Sequence, residues 1–309
     1  MIQVKNLYKS YSGNTVLHDL NFQINKGEIV GFLGPNGAGK TTTMRILTGY
    51  FPPTSGSAKI AGYDVVEESL ESRKHFGYLP ENVPLYYDLT VYEYLAYFAQ
   101  LARVPSKLRK DEIASVIKKT ALTDVKDKLI SAISRGYRQR VGLAQALVGN
   151  PDVLILDEPT VGLDPVQIVE IRDLIKDLAK NQTVILSTHI LPEVSQICNR
   201  VLIINQGKIV ADGTVDDLIA KQASHSNLRL TVGGDPEHAR EIIKKFRGVD
   251  KIDLVNDKQH DSLVVHSDHD IRKSLLRELV NHDIELLEFR SEVVDLESVF
   301  IKLVTHENK

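Results

Sequence analysis

Residues 28–41 read EIVGFLGPNGAGKT, and this stretch decides the fold class. Residues 28–33 form a near-continuous apolar run, which is typical of a strand buried on both faces of a parallel sheet. A glycine-rich turn follows, and the segment TTTMRIL after it has a helical pattern. A buried strand, a glycine-rich turn and a helix in this order predict a phosphate-binding loop in an α/β protein.

The loop matches the pattern G-x-x-x-x-G-K-[ST], and a glycine-rich turn without a ligand is disfavoured because the flanking strand and helix are correctly placed. Glycine lets the backbone wrap a phosphate chain, so that N–H groups and a helix N-terminus face negative charge. Lys40 is predicted to reach the β- and γ-phosphates, and Thr41 to hold Mg²⁺. The predicted nucleotide-binding residues here are Gly34, Pro35, Asn36, Gly37, Ala38, Gly39, Lys40, Thr41 and Thr42.

A second apolar stretch, VLILDE at residues 153–158, ends in two carboxylates. The pattern predicts a buried strand with Asp157 at its carboxyl end, where the side chain would hold Mg²⁺ from the outer coordination shell. Glu158 lies one residue further along and is predicted to polarise an attacking water molecule. Solvated acids at a plain strand end are the alternative, which the nearby phosphate loop makes the weaker one.

The composition restricts the partners and the location of the chain. With 38 basic and 41 acidic side chains the formal charge is −3, whereas proteins that grip a phosphate backbone are usually basic, so no nucleic acid partner is expected. The lone cysteine, Cys198, excludes an intrachain disulfide and favours a reducing compartment. Because there is no signal-peptide pattern and no apolar run near the roughly 20 residues of a membrane span, a cytoplasmic location is expected.

Strands and helices alternate over about the first 220 residues, which predicts an α/β domain at 1–221 with a mostly parallel central sheet. An antiparallel β part and a helical subdomain at about 85–150 accompany this sheet, and Thr90 with Glu93 fits a capping box. The polar stretch QASHSNL at 222–228 is a predicted linker. Residues 222–309 show the order strand, helix, strand, strand, helix, strand, helix, which predicts a small α+β domain of ferredoxin-like outline.

Three further segments complete a resemblance to the ATP-binding subunits of ABC transporters, which covers residues 1 to about 220. His189 in STHI, just after a predicted strand, resembles the switch histidine near the γ-phosphate. Asp164 in VGLD resembles the end of the D-loop, which faces a partner subunit. Tyr11 in YKSYSG resembles the aromatic residue on which adenine stacks, with Tyr8 as the nearby alternative.

The stretch ISRGYRQR at 133–140 occupies the place of the family signature, usually written LSGGQ. It keeps Ser134 and Gly136 and departs from the signature at Ile133, Arg135 and Tyr137. Ser134 is predicted to cap a helix and to bind phosphate at the positive helix end, and Gly136 to allow close backbone approach. A basic patch for nucleic acid and an ordinary helix start are the weaker interpretations. Because the family often has glycine at position 135, Arg135→Gly is expected to be tolerated.

Glu81 in FGYLPEN is another departure, since the family commonly has glutamine after this proline. The resemblance implies that this position contacts Mg²⁺ and the attacking water and senses the membrane subunit. A carboxylate can also bind Mg²⁺, although it adds negative charge beside the γ-phosphate. A solvated loop acid is the alternative interpretation of Glu81.

The resemblance implies a P-loop NTPase fold of ABC type and an ATPase that drives a transporter. Two ATP-binding subunits, identical or paralogous, would hold ATP and Mg²⁺ head to tail between the phosphate loop of one subunit and Ser134–Gly136 of the other. Lys40, Glu158 and His189 are the implied catalytic residues. A separate integral-membrane permease would hold the chain at the inner face of the cell membrane.

The variants GYLPEN and SRGYRQR and the tail DLESVFIKL are most similar to the export-type subfamily that includes gliding-motility and multidrug or polysaccharide exporters. A soluble ABC-type ATPase acting on nucleic acid or ribosomes is the alternative function. The short stretch between Lys40 and Ser134 leaves no room for the long coiled coil of the DNA-repair type. An ATP-binding module without turnover is disfavoured because Glu158 is present.

Overall fold

The computed structural model describes residues 1–222, 226–256, 261–267, 270–292 and 296–305, which form two compact units. The strands of the first unit are β1 (Ile2–Tyr11), β2 (Asn14–Ile24), β3 (Ile29–Leu33), β4 (Ser55–Ile60), β5 (Tyr63–Asp64), β6 (Phe76–Leu79), β7 (Val153–Asp157), β8 (Thr183–Thr188), β9 (Arg200–Asn205) and β10 (Lys208–Gly213). Its helices are α1 (Lys40–Leu47), α2 (Ser69–Ser72), α3 (Val91–Leu101), α4 (Arg109–Lys119), α5 (Arg135–Leu147), α6 (Pro165–Ala179) and α7 (Leu191–Ile197).

Six strands of the first unit form the sheet that carries the phosphate loop, in the order β10-β9-β3-β8-β7-β6. All neighbouring pairs are parallel except the β9–β10 hairpin, so the predicted mostly parallel central sheet is confirmed. Strands β3, β8 and β7 are adjacent and buried because the interior of each is an apolar run. Their carboxyl ends meet at one edge, where Leu33 lies opposite Thr188 and Asp157 lies opposite Ser187.

A four-stranded antiparallel sheet, in the order β2-β1-β4-β5, completes the β structure of this unit. Apolar side chains of β1, β2, β4 and α1 share one buried core with the parallel sheet. The sequence pattern predicts strands only at 2–4 and 20–24, but β1 and β2 are longer. Their pairing shifts register at three places between Val4 and Ser10. These irregularities break the alternation of apolar side chains from which strand length is inferred.

Helices α3, α4 and α5 form the helical part of the first unit. Thr90 caps α3, and the side chains of Thr90 and Glu93 each bond the other residue's backbone N–H, which is the predicted capping box. Helix α5 packs so closely on β6 that a Cβ at Gly77 would lie 1.7 Å from the backbone oxygen of Ala146. The close contact at Gly77 sets how α5 lies against the parallel sheet.

The second unit contains the strands β11 (Ser226–Gly233), β12 (Val249–Asn256), β13 (Asp261–Ser267) and β14 (Glu285–Glu292), and the helices α8 (Val215–Gln222), α9 (Pro236–Lys244), α10 (Arg272–Asn281) and α11 (Leu296–Thr305). Its sheet has the order β12-β13-β11-β14, and all neighbouring strands are antiparallel. Apolar side chains of the strands, α9 and α10 form its core. The elements from β11 to β14 follow the ferredoxin-like βαββαβ order.

The boundary between the units lies between Thr214 and Val215, whereas the sequence pattern places it at 221/222. The difference arises because α8 packs against α11 and so belongs to the second unit. Of the predicted linker at 222–228, residues 223–225 lie outside the described residues. The rest of that stretch ends α8 and begins β11.

Gly77→Ala is expected to destabilise the first unit, because the added methyl group meets a backbone carbonyl of α5 rather than a flexible side chain. We expect a loss of about 3 kcal/mol in the free energy of unfolding, at the upper end of the range for overpacking, in urea denaturation. Gly31→Ala on β3 is the matched control. Its Cβ would lie 3.0 Å from side-chain atoms of Cys198 and Val194, which can move, and the expected loss is below about 1 kcal/mol. Equal losses in the two variants would contradict this account of α5 packing.

Candidate active site

The phosphate-binding loop joins β3 to α1, and glycines determine its backbone. Gly37 and Gly39 have φ angles of 80° and 108°, in the left-handed region that glycine adopts without strain. Gly34 lies against β9, where a Cβ would be 2.4 Å from the backbone oxygen of Ile204. Because Gly39 precedes α1 and has no side chain to cap it, the first N–H groups of α1 remain for phosphate oxygens. The loop also contains Pro35, Asn36 and Ala38, and α1 contains Lys40, Thr41 and Thr42.

The ammonium group of Lys40 is buried and is held by three acceptors. Its Nζ donates to the backbone oxygens of Gly34 at 2.8 Å and Pro35 at 3.3 Å. It also lies 3.3 Å from Oε1 of Glu158. A cation with 6% of its side chain exposed needs such partners, because an unpaired buried charge is costly. Lys40 therefore connects the phosphate loop to the carboxyl end of β7.

Asp157 ends β7 and faces the first turn of α1. The Thr41 hydroxyl donates to Oδ1 of Asp157 at 3.4 Å, and the Ser187 hydroxyl donates to the same oxygen at 2.5 Å. The other oxygen, Oδ2, is buried and has no hydrogen-bond partner among the residues that the structure describes. Burial raises the pKa of the Asp157 carboxyl against the opposing effect of the two hydroxyls, and the charges of Glu81 and Glu158 raise it further. A divalent cation fits here, since it would supply the missing partner and favour the ionised carboxylate.

Glu158 follows β7 directly, and its backbone is left-handed with a φ of 49°. This conformation is unfavourable for a residue with a side chain and persists only where neighbouring contacts enforce it. Here the Glu158 N–H donates to the backbone oxygen and to the hydroxyl of Ser187, each at 3.1 Å. Besides Lys40, the Glu158 carboxylate contacts His189, whose Nδ1 lies 3.1 and 3.0 Å from the two carboxylate oxygens. The structure thus brings the predicted residues Lys40, Glu158 and His189 together.

Glu193 on α7 is a site residue that the sequence analysis did not identify. Its side chain is buried, and its carboxylate accepts hydrogen bonds from the hydroxyls of Thr188, at 2.9 Å, and Thr160. Thr188 directly precedes His189, and Thr160 follows closely after Glu158. The Glu193 carboxylate therefore ties together the two segments that carry His189 and Glu158.

The signature-like stretch 133–140 forms the beginning of α5, with Ser134 as the N-cap. The Ser134 hydroxyl accepts a hydrogen bond from the N–H of Tyr137 at 3.4 Å, as predicted for a helix start. Gly136 is buried against Gln167, and a Cβ at this glycine would lie 2.7 Å from the Gln167 side chain. The residues predicted to bind a partner's phosphate therefore lie at the positive end of a helix.

The three arginines of this stretch make contacts within the chain. Arg135, Arg138 and Arg140 each donate to at least one backbone carbonyl. Arg140 also forms a salt bridge with Glu170, and the guanidinium of Arg138 lies 5.1 Å from the ring centroid of Tyr87. The basic composition of the stretch is therefore explained by local structure and requires no bound polyanion.

Asp164 and Glu81 lie at the edges of the site. Asp164 is the N-cap of α6, and its carboxylate accepts a hydrogen bond from the N–H of Gln167 at 2.9 Å. Its observed contact is therefore within its own chain. Glu81 follows β6, is exposed, and lines the same cavity as Asp157, which places its charge beside the candidate cation site.

Tyr11 ends β1, in the antiparallel sheet, and 39% of the residue is exposed. Its ring packs edge-on against Phe51, with centroids 5.9 Å apart, and the Lys9 ammonium lies 4.8 Å from its centroid. These contacts hold the ring in place while part of it stays accessible. Such a ring can stack on a planar base.

The arrangement of Lys40, Glu158 and His189 can neutralise phosphate charge and activate water. Lysine supplies a fixed positive charge, the carboxylate can accept a proton, and the histidine can donate a hydrogen bond. All three groups lie at the edge where the loop opens α1, so they are placed to act on a phosphate that this loop would hold. This is the set of groups that phosphoryl transfer to water requires.

Comparison with known proteins gives the same result. The sequence profile of the ABC transporter family matches residues 17–161. The chain is 33% identical to the linearmycin resistance ATP-binding protein LnrL of Bacillus subtilis over 98% of both chains. It is also 33% identical to the bacitracin transport ATP-binding protein BcrA of Bacillus licheniformis, over 98% of this chain and 97% of that protein.

Among solved structures, the ATP-binding cassette MJ0796, a dimer in a post-hydrolysis state bound to ADP and Pi, matches with a TM-score of 0.63 at 25% identity. The match covers 69% of this chain and 98% of that one. Three observations on the present chain lead to one conclusion. They are its fold, its phosphate loop with the acids at the end of β7 and the histidine after β8, and the relatives that match over nearly their whole length. The chain belongs to the ABC transporter family and is an ATP-binding, ATP-hydrolysing subunit.

Proposed function

We propose that the chain hydrolyses ATP in a head-to-tail dimer and thereby drives export through a permease that is a separate chain. The observation that carries this proposal is the meeting of Lys40, Glu158 and His189 beside the phosphate loop. The dimeric state of MJ0796 supports a dimer here. The names of LnrL and BcrA, for resistance and transport, support a role in export. No observation favours an ATPase that acts on nucleic acid or ribosomes.

The catalytic roles follow from the contacts of the Glu158 carboxylate. Phosphate oxygens bound by the loop compete for Lys40, because they carry more negative charge than a carboxylate. Transfer of Lys40 to the phosphates leaves Glu158 able to accept a proton from the attacking water. His189, with 42% of its side chain exposed, can turn towards the γ-phosphate. Catalysis then consists mainly of positioning and charge neutralisation.

The residues around Asp157 fit Mg²⁺. Thr41 would offer its hydroxyl oxygen to the ion, and Asp157 would help to hold it through Oδ2, which has no hydrogen-bond partner among the described residues. Glu81 adds a carboxylate at the edge of the same cavity. When bound, the ion neutralises charge on the β- and γ-phosphate oxygens. Thr41, Asp157 and Glu81 are therefore the residues that would hold it.

In this proposal, each nucleotide-binding site contains residues of both subunits. Tyr11 would stack on adenine while the phosphate loop binds the phosphates. Ser134 and Gly136 of the other subunit would bind the same nucleotide through the helix N-terminus that Ser134 caps. Asp164, close to the start of α6, would face the partner. Neither subunit then holds a whole site, so ATP itself joins the dimer.

The permease would dock at a cavity of about 1270 Å³ lined by residues of β6, α3, α4 and α5. Leu101 and Leu108 on this rim are 57% and 56% exposed, and a partner helix would bury them. The cavity also reaches Glu81 and Asp157, so a permease movement has a short path to the nucleotide. No helix in the described ranges is long and apolar enough to cross a bilayer. The permease would hold the chain at the cytoplasmic face of the membrane.

Glu158→Gln is expected to keep ATP binding and to lower hydrolysis at least about 100-fold, because the amide cannot accept the proton from water. ATP-bound dimers should accumulate, which size-exclusion chromatography with ATP would detect. Glu67→Gln, at an exposed glutamate of the same unit, is the control and should hydrolyse ATP normally. Normal turnover by Glu158→Gln would overturn the proposed function.

Glu193→Asp keeps the negative charge but is one methylene too short to accept from both Thr160 and Thr188. We expect kcat to fall about 10-fold with KM for ATP changed less than about 3-fold, because the groups that act in the transition state lose their positions. Glu193→Gln keeps the length of the side chain, and its expected effect is smaller. Steady-state kinetics would measure both. Unchanged kcat in Glu193→Asp would show that the bridge has no part in turnover.

Ser134→Arg places a bulky side chain where the partner's γ-phosphate would bind, while Lys40 and Thr41 of the same subunit are unchanged. The variant should bind ATP as a monomer and fail to form ATP-driven dimers. Mixed with a Lys40→Ala subunit, it should regain hydrolysis above that of either variant alone. In that mixed dimer one site combines the intact loop of one subunit with the intact signature of the other. No gain on mixing would place the signature in its own subunit's site.

A further inference from the structure

One face of α5 is bound to the segment that directly follows Glu158. Arg135 donates from Nη2 to the backbone oxygen of Val161 at 3.2 Å. Gln139 donates from Nε2 to the backbone oxygen of Pro159 at 2.7 Å. Residues 135 and 139 are four apart and therefore neighbours on the helix surface. The start of α5 thus makes two links to residues 159–161, and Pro159 directly follows Glu158.

The guanidinium of Arg135 occupies the space beside Gly162. A Cβ on Gly162 would lie 2.2 Å from Nη2 and 2.3 Å from Cζ of Arg135, so any larger residue at position 162 would displace the guanidinium. Gly162 also has a φ of 72°, which favours glycine. Arg135 and Gly162 therefore fit each other, and the arginine packs on the backbone of the 159–164 segment as well as bonding to it.

An arginine is an unexpected residue at this place. Arg135 is the first residue of α5, where the helix dipole disfavours a positive charge. Its position is also one of the three at which the stretch departs from the family signature. The observed compensation is the carbonyl of Val161, which accepts from the guanidinium. The side chain therefore belongs with the segment after Glu158 rather than with α5 alone.

We propose that Arg135 is a positioning residue that couples the two ATP sites of the dimer. The inference rests on the proposed function, in which Ser134 and Gly136 bind the partner's nucleotide while Glu158 acts on the subunit's own. When the start of α5 shifts as it binds the partner's nucleotide, Arg135 moves the Val161 carbonyl with it. The segment adjoining Glu158 then responds to the occupancy of the other site.

The proposal changes the expected outcome of Arg135→Gly. The family resemblance predicts that glycine is tolerated, and we expect turnover to be retained because no atom of Arg135 is needed for the chemistry. Gln139 still holds Pro159 in this variant. The lost link is the one to Val161, so cooperativity between the sites falls while each site keeps its own residues.

The test measures ATP hydrolysis by the full chain as a function of ATP concentration, with thermal unfolding and ATP binding to the monomer. We expect a wild-type Hill coefficient above 1 and a lower value for Arg135→Gly, with monomer affinity for ATP unchanged within about 3-fold. Arg135→Lys keeps the charge but not the planar fork, and it should lie between the two. A merely structural role would lower the melting temperature and leave the Hill coefficient unchanged.

Two further variants make the test specific. Arg109→Gly is the matched control, because Arg109 is also the first residue of a helix and also donates to a backbone carbonyl, that of Val104 at 2.8 Å. It should keep the wild-type Hill coefficient. Gly162→Ala displaces the guanidinium from the opposite side and should lower the coefficient. In the Arg135→Gly background, Gly162→Ala should lower the Hill coefficient no further, since both changes break the same contact.

The outcomes separate this inference from the proposed function. An unchanged Hill coefficient in Arg135→Gly overturns the inference, and so does a loss of ATP binding by the monomer, which would place Arg135 in its own subunit's site. Wild-type dimers that form with ATP but have a Hill coefficient of about 1 overturn the coupling and leave the ATPase function standing. A Glu158→Gln chain that forms no ATP-bound dimer overturns the proposed function itself.

Discussion

The carboxylate of Glu158 is the point on which the site depends. It lies 3.3 Å from the Lys40 ammonium and 3.0 Å from Nδ1 of His189, and so joins the loop after β3 to the segments after β7 and β8. Its backbone is left-handed, and the strain is offset by two hydrogen bonds to Ser187 on the neighbouring strand. A strained residue held in this way has its side chain aimed before substrate arrives, which reduces the reorganisation that catalysis requires.

The apolar interior explains why so many polar groups gather at one edge. Strands β3, β7 and β8 are buried on both faces, so their polar side chains are confined to the strand ends, and those of Asp157, Ser187 and Thr188 lie at the carboxyl ends. Each polar group at this edge then needs a partner, because buried polar atoms are costly unless bonded. Glu193 provides one such partner for Thr160 and Thr188, and Lys40 another for Glu158. Among the described residues, Oδ2 of Asp157 has no hydrogen-bond partner, and the proposed cation would supply one.

Features that depend on short-range pattern could be predicted from the sequence. Continuous apolar runs specify the buried parallel strands, and the loop at 34–41 specifies the phosphate site, because glycine spacing and helix start are local properties. The capping box at Thr90 and the N-cap at Ser134 follow from neighbours three residues away. Parallel strands place their carboxyl ends at one edge, so the meeting of Asp157 and Glu158 with the loop was also predictable.

Contacts between segments that are distant in the chain could not be predicted from the sequence, because they depend on how the elements pack. Glu193 shares the buried face of α7 with Ile197, and an acid on an apolar face is a weak signal until the hydroxyls that bond it are known. The length of β1 depends on irregular pairing with β2, and the unit boundary depends on where α8 packs. In the sequence, Arg135 is visible only as a departure from the family signature. Its contacts with Val161 and Gly162 exist only in the folded chain. Local pattern fixes which elements form, whereas the partner of a polar side chain depends on the packing of those elements.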